Sequence, residues 1–189
     1  MVRMKLISLD KRKLRKLEPT KNPFGSLVRS IIFQQLSTKS ATSILNKFLL
    51  LFPKKKFPTP VDILKLTDEQ FASAGVSPQK RSYIRDLALK FSDGTINAKK
   101  LRSMNDGEIK EHLIQVKGIG PWTIDMFLIF ALNKPDVLPI GDLGVMKGFQ
   151  KVFGLQSLPT VSQMEALAEP YKGRRTYLSL YLWQSLDEK

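Results

Sequence analysis

The sequence predicts an all-α fold of about ten helices. Apolar residues recur at helical spacing along most of the chain, helix-start signals precede those stretches, and no alternating run of the kind that builds a half-buried strand occurs in the 189 residues. Neither an internal repeat nor a low-complexity tract is present.

Residues 1–22 are basic and weakly patterned and end in EPTKNP, so they are expected to form an arm or linker, with the folded domain spanning 23–189. From Pro23 onward, Leu27, Val28, Ile31 and Ile32 share one helix face, and Ala41, Ile44, Leu45, Phe48 and Leu49 form a second stripe. Between them QQLST (Gln34 to Thr38) is either an exposed corner or an ordinary connection, with Ser37 or Thr38 able to cap the second helix. Thr59 precedes Pro60, and Thr67 to Gln70 has capping-box spacing; two short helices follow from this. Ser77 and Pro78 start another helix with Ile84, Leu87, Ala88 and Phe91 on one face and Gly94 as its stop. Asn105 with Glu108 and Thr160 with Gln163 repeat the start signal.

Charge and composition narrow the function. Lys and Arg number 31 against 17 acidic residues, a net charge of +14 that attracts polyanions; nucleic acid is the first partner to consider, beside a membrane surface or plain solubility. The longest apolar stretch, Met126 to Leu132, is too short to cross a bilayer, and Lys5, Asp10 and Lys11 interrupt any secretory core near the start. The expectation is therefore an intracellular protein, cytoplasmic in a prokaryote or nuclear in a eukaryote, with no membrane and no obligate protein partner. With no cysteine, disulfides, a thiol nucleophile, a thiolate zinc site and a cysteine-ligated cluster are excluded.

The most informative segment is LIQVKGIGPWTIDMFLIFAL, Leu113 to Leu132, in which one helix meets a Gly-x-Gly hairpin and another starts at Pro121. Gly118 and Gly120 permit backbone angles that side chains forbid, and a helix start of this kind holds phosphate through N–H groups and the helix dipole. Alone, the pattern also describes a plain structural turn. It is followed by VLPIGDLGVMKGFQ, Val137 to Gln150, a Pro-containing apolar loop with a lone acid before a helix that carries Lys147.

Together the two segments resemble the helix-hairpin-helix superfamily of DNA glycosylases, and within it the 3-methyladenine DNA glycosylase II (AlkA) branch. FGSLVRSIIFQQLSTKSA, GVSPQKRSYIRDLA and RRTYLSLYLW extend the resemblance from Phe24 to Trp183. The resemblance implies a two-lobed helical core with a DNA-binding cleft between the lobes, in a compact form without the prototype's extra N-terminal β-rich domain. It makes Asp142 the catalytic carboxylate facing the target sugar, where fixed negative charge stabilises a developing oxocarbenium ion and helps to position or deprotonate water. A helix N-cap is the other reading of Asp142, and the residue can serve as both. A cationic base such as 3-methyladenine or 7-methylguanine leaves as a neutral molecule, so a second acid is unnecessary.

The resemblance further implies a base pocket of Trp122 and Trp183, with Phe24 and Tyr83 as further candidates, since an indole face attracts a cationic base. Gln35 matches the side chain that fills the gap left by a flipped nucleotide. Ser37, Lys117, Gly118, Gly120, Thr123 and Lys147 are assigned to DNA contact. No cofactor is required; main-chain carbonyls of Ile114, Val116 and Ile119 are the expected ligands of a structural monovalent cation, Na or K. Trp122 stands where bifunctional relatives carry a Schiff-base lysine, which disfavours a lyase step. His112 reads as a surface or packing residue. A helix-hairpin-helix protein that binds damaged or abasic DNA without cutting it is the alternative.

Overall fold

The computed structural model describes Leu14 and residues 16–187. Every regular element among them is helical: α1 (Pro23–Phe33), α2 (Thr38–Leu50), α3 (Pro60–Leu64), α4 (Asp68–Ser73), α5 (Pro78–Ser92), α6 (Lys100–Ser103), α7 (Asp106–Leu113), α8 (Pro121–Phe130), α9 (Leu143–Phe153), α10 (Val161–Ala168), a 3-10 turn (Glu169–Tyr171) and α11 (Arg175–Asp187). No described helix is long and apolar enough to cross a membrane.

The helix starts follow the sequence signals closely. Ser37, Thr59, Thr67, Ser77, Asn105 and Thr160 each accept a bond from a backbone amide of the turn they precede, and at Thr59, Thr67, Asn105 and Thr160 the third helical residue reciprocates. The four-residue α6 has no such signal: its N-cap, Lys99, makes no side-chain cap bond.

The chain divides into two compact units. In the first, Thr20–Phe127, α5 packs against α1 and α3, and α1 also against α2. Leu27, Val28, Ile31, Ile32, Phe48, Phe71, Ile84 and Leu87 make its core, each fully buried. In the second, residues 128–187 with the described residues before Thr20, α9 packs on α11. Val145, Phe149, Met164, Tyr171, Leu178 and Leu182 bury together there, and Leu138, Ile140 and Trp183 pack against that cluster. Gly148 allows the close approach, because a Cβ there would stand 2.7 Å from the Leu182 carbonyl oxygen.

Most of the expected basic arm, residues 1–13 and 15, lies outside the described residues. Its described end is not a free tail: Leu14 is buried, and the Leu17 carbonyl accepts a bond from the Asn133 amide at 3.4 Å.

Candidate active site and nucleic-acid interface

In the Thr20–Phe127 unit the hairpin between α7 and α8 is held from one side by α5. Gly118 has φ +75°, and a Cβ on it would stand 2.0 Å from the Tyr83 ring, so both the left-handed backbone and the ring contact require glycine. The Lys117 amide donates to Asp86 Oδ2 at 2.8 Å, while Lys90 Nζ binds Oδ1 at 2.9 Å. Burial opposes ionisation of Asp86, yet the bonds from Lys90 and the Lys117 amide outweigh it and hold the carboxyl below its ordinary value. The Gln34 side-chain amide donates to the Gly118 carbonyl at 2.8 Å and to Thr123 Oγ1 at 3.3 Å.

Gly120 corrects the sequence reading in part. It lies outside the left-handed region and a Cβ there would meet nothing within 4 Å, so the fold does not demand glycine. What glycine leaves at that position is open space at the start of α8.

Gln34, Gln35, Gln79, Lys80, Tyr83, Gly118, Trp122 and Thr123 line one cavity of about 440 Å³. Trp122 is 45% exposed, whereas Thr123 is 3% exposed and its hydroxyl accepts from the Gln34 side-chain amide. Phe24 is 4% exposed and meets the Phe91 ring edge-on at 5.1 Å, a core contact. Gln35 is exposed at φ +55°, beside Ser37, whose hydroxyl caps α2. Lys117 is exposed, and Ile114, Val116 and Ile119 line a shallow concavity of the hairpin.

In the second unit Asp142 is the N-cap of α9. Its Oδ1 accepts from the Val145 amide and from Trp183 Nε1, both at 2.8 Å. Turns from Pro139 to the Asp142 amide and from Leu138 to the Ile140 amide shape the loop before it. That loop is tied to the start of α11. The Val137 amide donates to the Thr176 hydroxyl, the Thr176 hydroxyl to the Lys134 carbonyl, and Arg175 forms a two-pronged pair with Asp136 at 2.7 Å. The Arg175 guanidinium keeps the Asp136 carboxyl below its usual range.

Trp183 does more than the sequence suggests. Its ring stacks on Phe130 at 5.7 Å, and its N–H orients the carboxylate. Gly144 makes room for this, since a Cβ there would stand 2.9 Å from the indole and 3.0 Å from Asp142 Oδ1. Lys147 is exposed one turn further along α9. A carboxylate with two donors on one oxygen is a fixed negative charge, able to stabilise a cation that develops in front of it.

Sequence reasoning missed Gln34, Lys80, Asp86, Phe130 and Gly144. The one available signal was the row Lys80, Tyr83, Asp86 and Lys90, which repeats every three or four residues and so shares one face of α5. It also missed Asp125 on α8, 6% exposed, whose carboxyl is pushed up by burial although Lys110 stands 3.1 Å away.

Comparison with known proteins places this geometry. The chain is 34% identical over 166 residues to DNA-3-methyladenine glycosylase 1 of Schizosaccharomyces pombe, covering 87% of this chain and 73% of that protein. The crystal structure of a DNA-3-methyladenine glycosidase from Bacillus halodurans matches with TM-score 0.85 at 32% identity, over 92% of this chain and 80% of that one. The Schizosaccharomyces pombe 3-methyladenine DNA glycosylase in complex with abasic DNA matches with TM-score 0.80 at 31% identity, over 97% and 94%. Residues 28–172 match the family described as HhH-GPD superfamily base excision DNA repair protein. The helix-hairpin-helix at Gly118, the capped acid at Asp142 and these likenesses agree: the chain belongs to the HhH-GPD superfamily of base excision DNA repair proteins.

Proposed function

We propose that this protein is a monofunctional DNA glycosylase that hydrolyses the N-glycosidic bond of alkylated bases, 3-methyladenine and 7-methylguanine among them, in double-stranded DNA after flipping the damaged nucleotide. The observation that carries the reading is Asp142, a carboxylate whose Oδ1 is fixed by the Val145 amide and the Trp183 indole. A protein that only binds DNA would gain a helix cap from this side chain, but Asn or Ser caps as well, and the charge itself repels phosphate.

The steps follow from charge. The hairpin amides and the start of α8 grip phosphate without reading sequence. Gln35 enters the stack where the target base leaves, and the aromatic faces of Trp122 and Tyr83 receive a cationic ring. As the glycosidic bond breaks, its electron pair leaves with the cationic base, which departs neutral, and Asp142 stabilises the positive sugar; the same carboxylate takes the proton of the water whose oxygen bonds to the anomeric carbon. Trp122 supplies no amine, so no sugar adduct forms and the product is an intact abasic strand.

A monovalent cation, Na or K, fits the hairpin as a proposal. Ile114, Val116 and Ile119 line one concavity, and their main-chain carbonyls are the neutral oxygens that would hold it; the Val116 carbonyl accepts the Ile119 amide at 3.1 Å and retains a second lone pair. Such an ion would link hairpin carbonyls to phosphate.

The test is identification by mass spectrometry of the bases released from methylated and from deaminated DNA. Release of 3-methyladenine and 7-methylguanine with unbroken strands is expected; strand nicking without added base or heat, or release of neither base, overturns the proposal.

A further inference from the structure

Gln35 occupies the position just past the end of α1 where a helix ordinarily turns off through a left-handed glycine. It is neither glycine nor asparagine, yet it holds φ +55° and is exposed. A side chain in that region raises the energy of the backbone, so surrounding contacts must over-determine it. They are found one helix away. Lys80, in the first turn of α5, donates from Nζ to the carbonyls of Ile32 at 2.7 Å and Gln34 at 2.8 Å, the residues on either side of Phe33, the last residue of α1. Cation and helix C-terminus suit each other electrostatically, and these bonds satisfy carbonyls that the helix itself cannot. Gln34 then passes the constraint on, its side-chain amide holding the Gly118 carbonyl of the hairpin.

We propose that Lys80 is a positioning residue: its ammonium clamps the end of α1 so that Gln35 projects from the surface in a strained backbone conformation, in fixed register with the Gly118 hairpin. This rests on the reading of Gln35 as the side chain that enters the DNA stack. Lys80 itself need not touch DNA. Its ammonium is committed to main-chain oxygens, and partial burial pulls it below its ordinary pKa.

The experiment compares Lys80→Met, Gln35→Ala and the double variant with the unmodified protein. Each is titrated with a duplex carrying a tetrahydrofuran abasic analogue and with the matched undamaged duplex, over a range of salt. Fluorescence of 2-aminopurine opposite the analogue reports entry of a side chain into the gap. Lys80→Met is expected to lose roughly tenfold or more of the abasic preference, as a displaced contact group does. The loss should reach the level of Gln35→Ala, and the double variant should lose nothing further. Binding to undamaged duplex, and its salt slope, should remain those of the unmodified protein, which a lysine bound to phosphate would not allow.

Retention of the preference by Lys80→Met, additive losses in the double variant, or a reduced salt slope overturns the proposal. If Gln35→Ala itself has no effect, the reading of Gln35 fails first and the clamp falls with it; if only Lys80→Met is silent, the clamp alone fails. Should Lys80→Met melt below the assay temperature, Lys80→Gln, which keeps N–H donors on a shorter side chain, is expected to give an intermediate loss in the same assay, and its silence overturns the proposal equally. Gln35→Gly is expected to raise the melting temperature while abolishing the preference, since glycine adopts the left-handed region at no cost.

Discussion

In the Thr20–Phe127 unit the groups proposed to meet DNA belong to the main chain, and side chains of α1 and α5 hold them: Asp86 on the Lys117 amide, Gln34 on the Gly118 carbonyl, the Tyr83 ring against Gly118. In the unit containing residues 128–187 the group proposed to meet the sugar is a side chain, Asp142, held by a main-chain amide and an indole. Backbone donors read phosphate, which is the same in every sequence and every lesion. A single carboxylate acts on charge that exists only as the bond breaks. Substitutions at the hairpin itself should therefore appear in binding to all DNA, and those around Asp142 in the rate of excision.

The largest effect is expected at Asp142. Asp142→Asn keeps a capping oxygen, so folding should change by less than about 1 kcal/mol. Single-turnover release of 3-methyladenine should fall on the order of a hundredfold to a thousandfold, roughly 3 to 4 kcal/mol. Binding should persist or tighten as repulsion of phosphate is relieved. A variant that cuts within a few-fold of the unmodified protein would reduce Asp142 to a helix cap and dissolve the comparison.

Trp183→Phe sharpens it. The ring contact with Phe130 survives while the donor to Asp142 is lost, and excision should slow by about tenfold, the scale of one bond to a charged group. Damaged-DNA affinity measured beside it should hold; a parallel loss of affinity would show that the indole meets the base directly.

Within the hairpin the two glycines should separate. Gly120→Val places its side chain in open space and should leave the melting curve intact while weakening damaged and undamaged duplex alike, by roughly 1 kcal/mol or more. Gly118→Ala meets both the Tyr83 ring and a left-handed backbone, and should lower stability by about 1–3 kcal/mol as well. Equal affinities for Gly120→Val and the unmodified protein would remove the hairpin from the interface.

The smallest effect is one of stability. Asp136 is held by Arg175 below its ordinary carboxylate value, so its contribution is present above the unfolded value near 4 and is lost as pH falls through the lower folded value. Asp136→Asn should melt earlier at pH 7, by about 1 kcal/mol for a pair that remains partly exposed, and the gap should close in acid. If excision by this variant slows while the melting temperature does not move, the loop is a catalytic support instead.

The sequence alone determined where helices begin, because caps at Ser37, Thr59, Thr67, Ser77, Asn105 and Thr160 act within three residues and need no distant partner. It also pointed to the hairpin and to Asp142 as an acid before a helix, since glycine, proline and a lone carboxylate in order are local signals. It left Phe24 open between pocket and core, because an apolar ring suits both and only the fold brings Phe91 beside it. It treated Gly118 and Gly120 alike, because the left-handed backbone and the Tyr83 ring that tell them apart are set by the folded hairpin. The bond from Trp183 to Asp142 joins residues 41 positions apart, and that from Gln34 to Gly118 spans 84. The tertiary structure decided these, for a hydrogen bond depends on separation in space, and helix packing, not spacing along the chain, brings donor and acceptor within 3 Å.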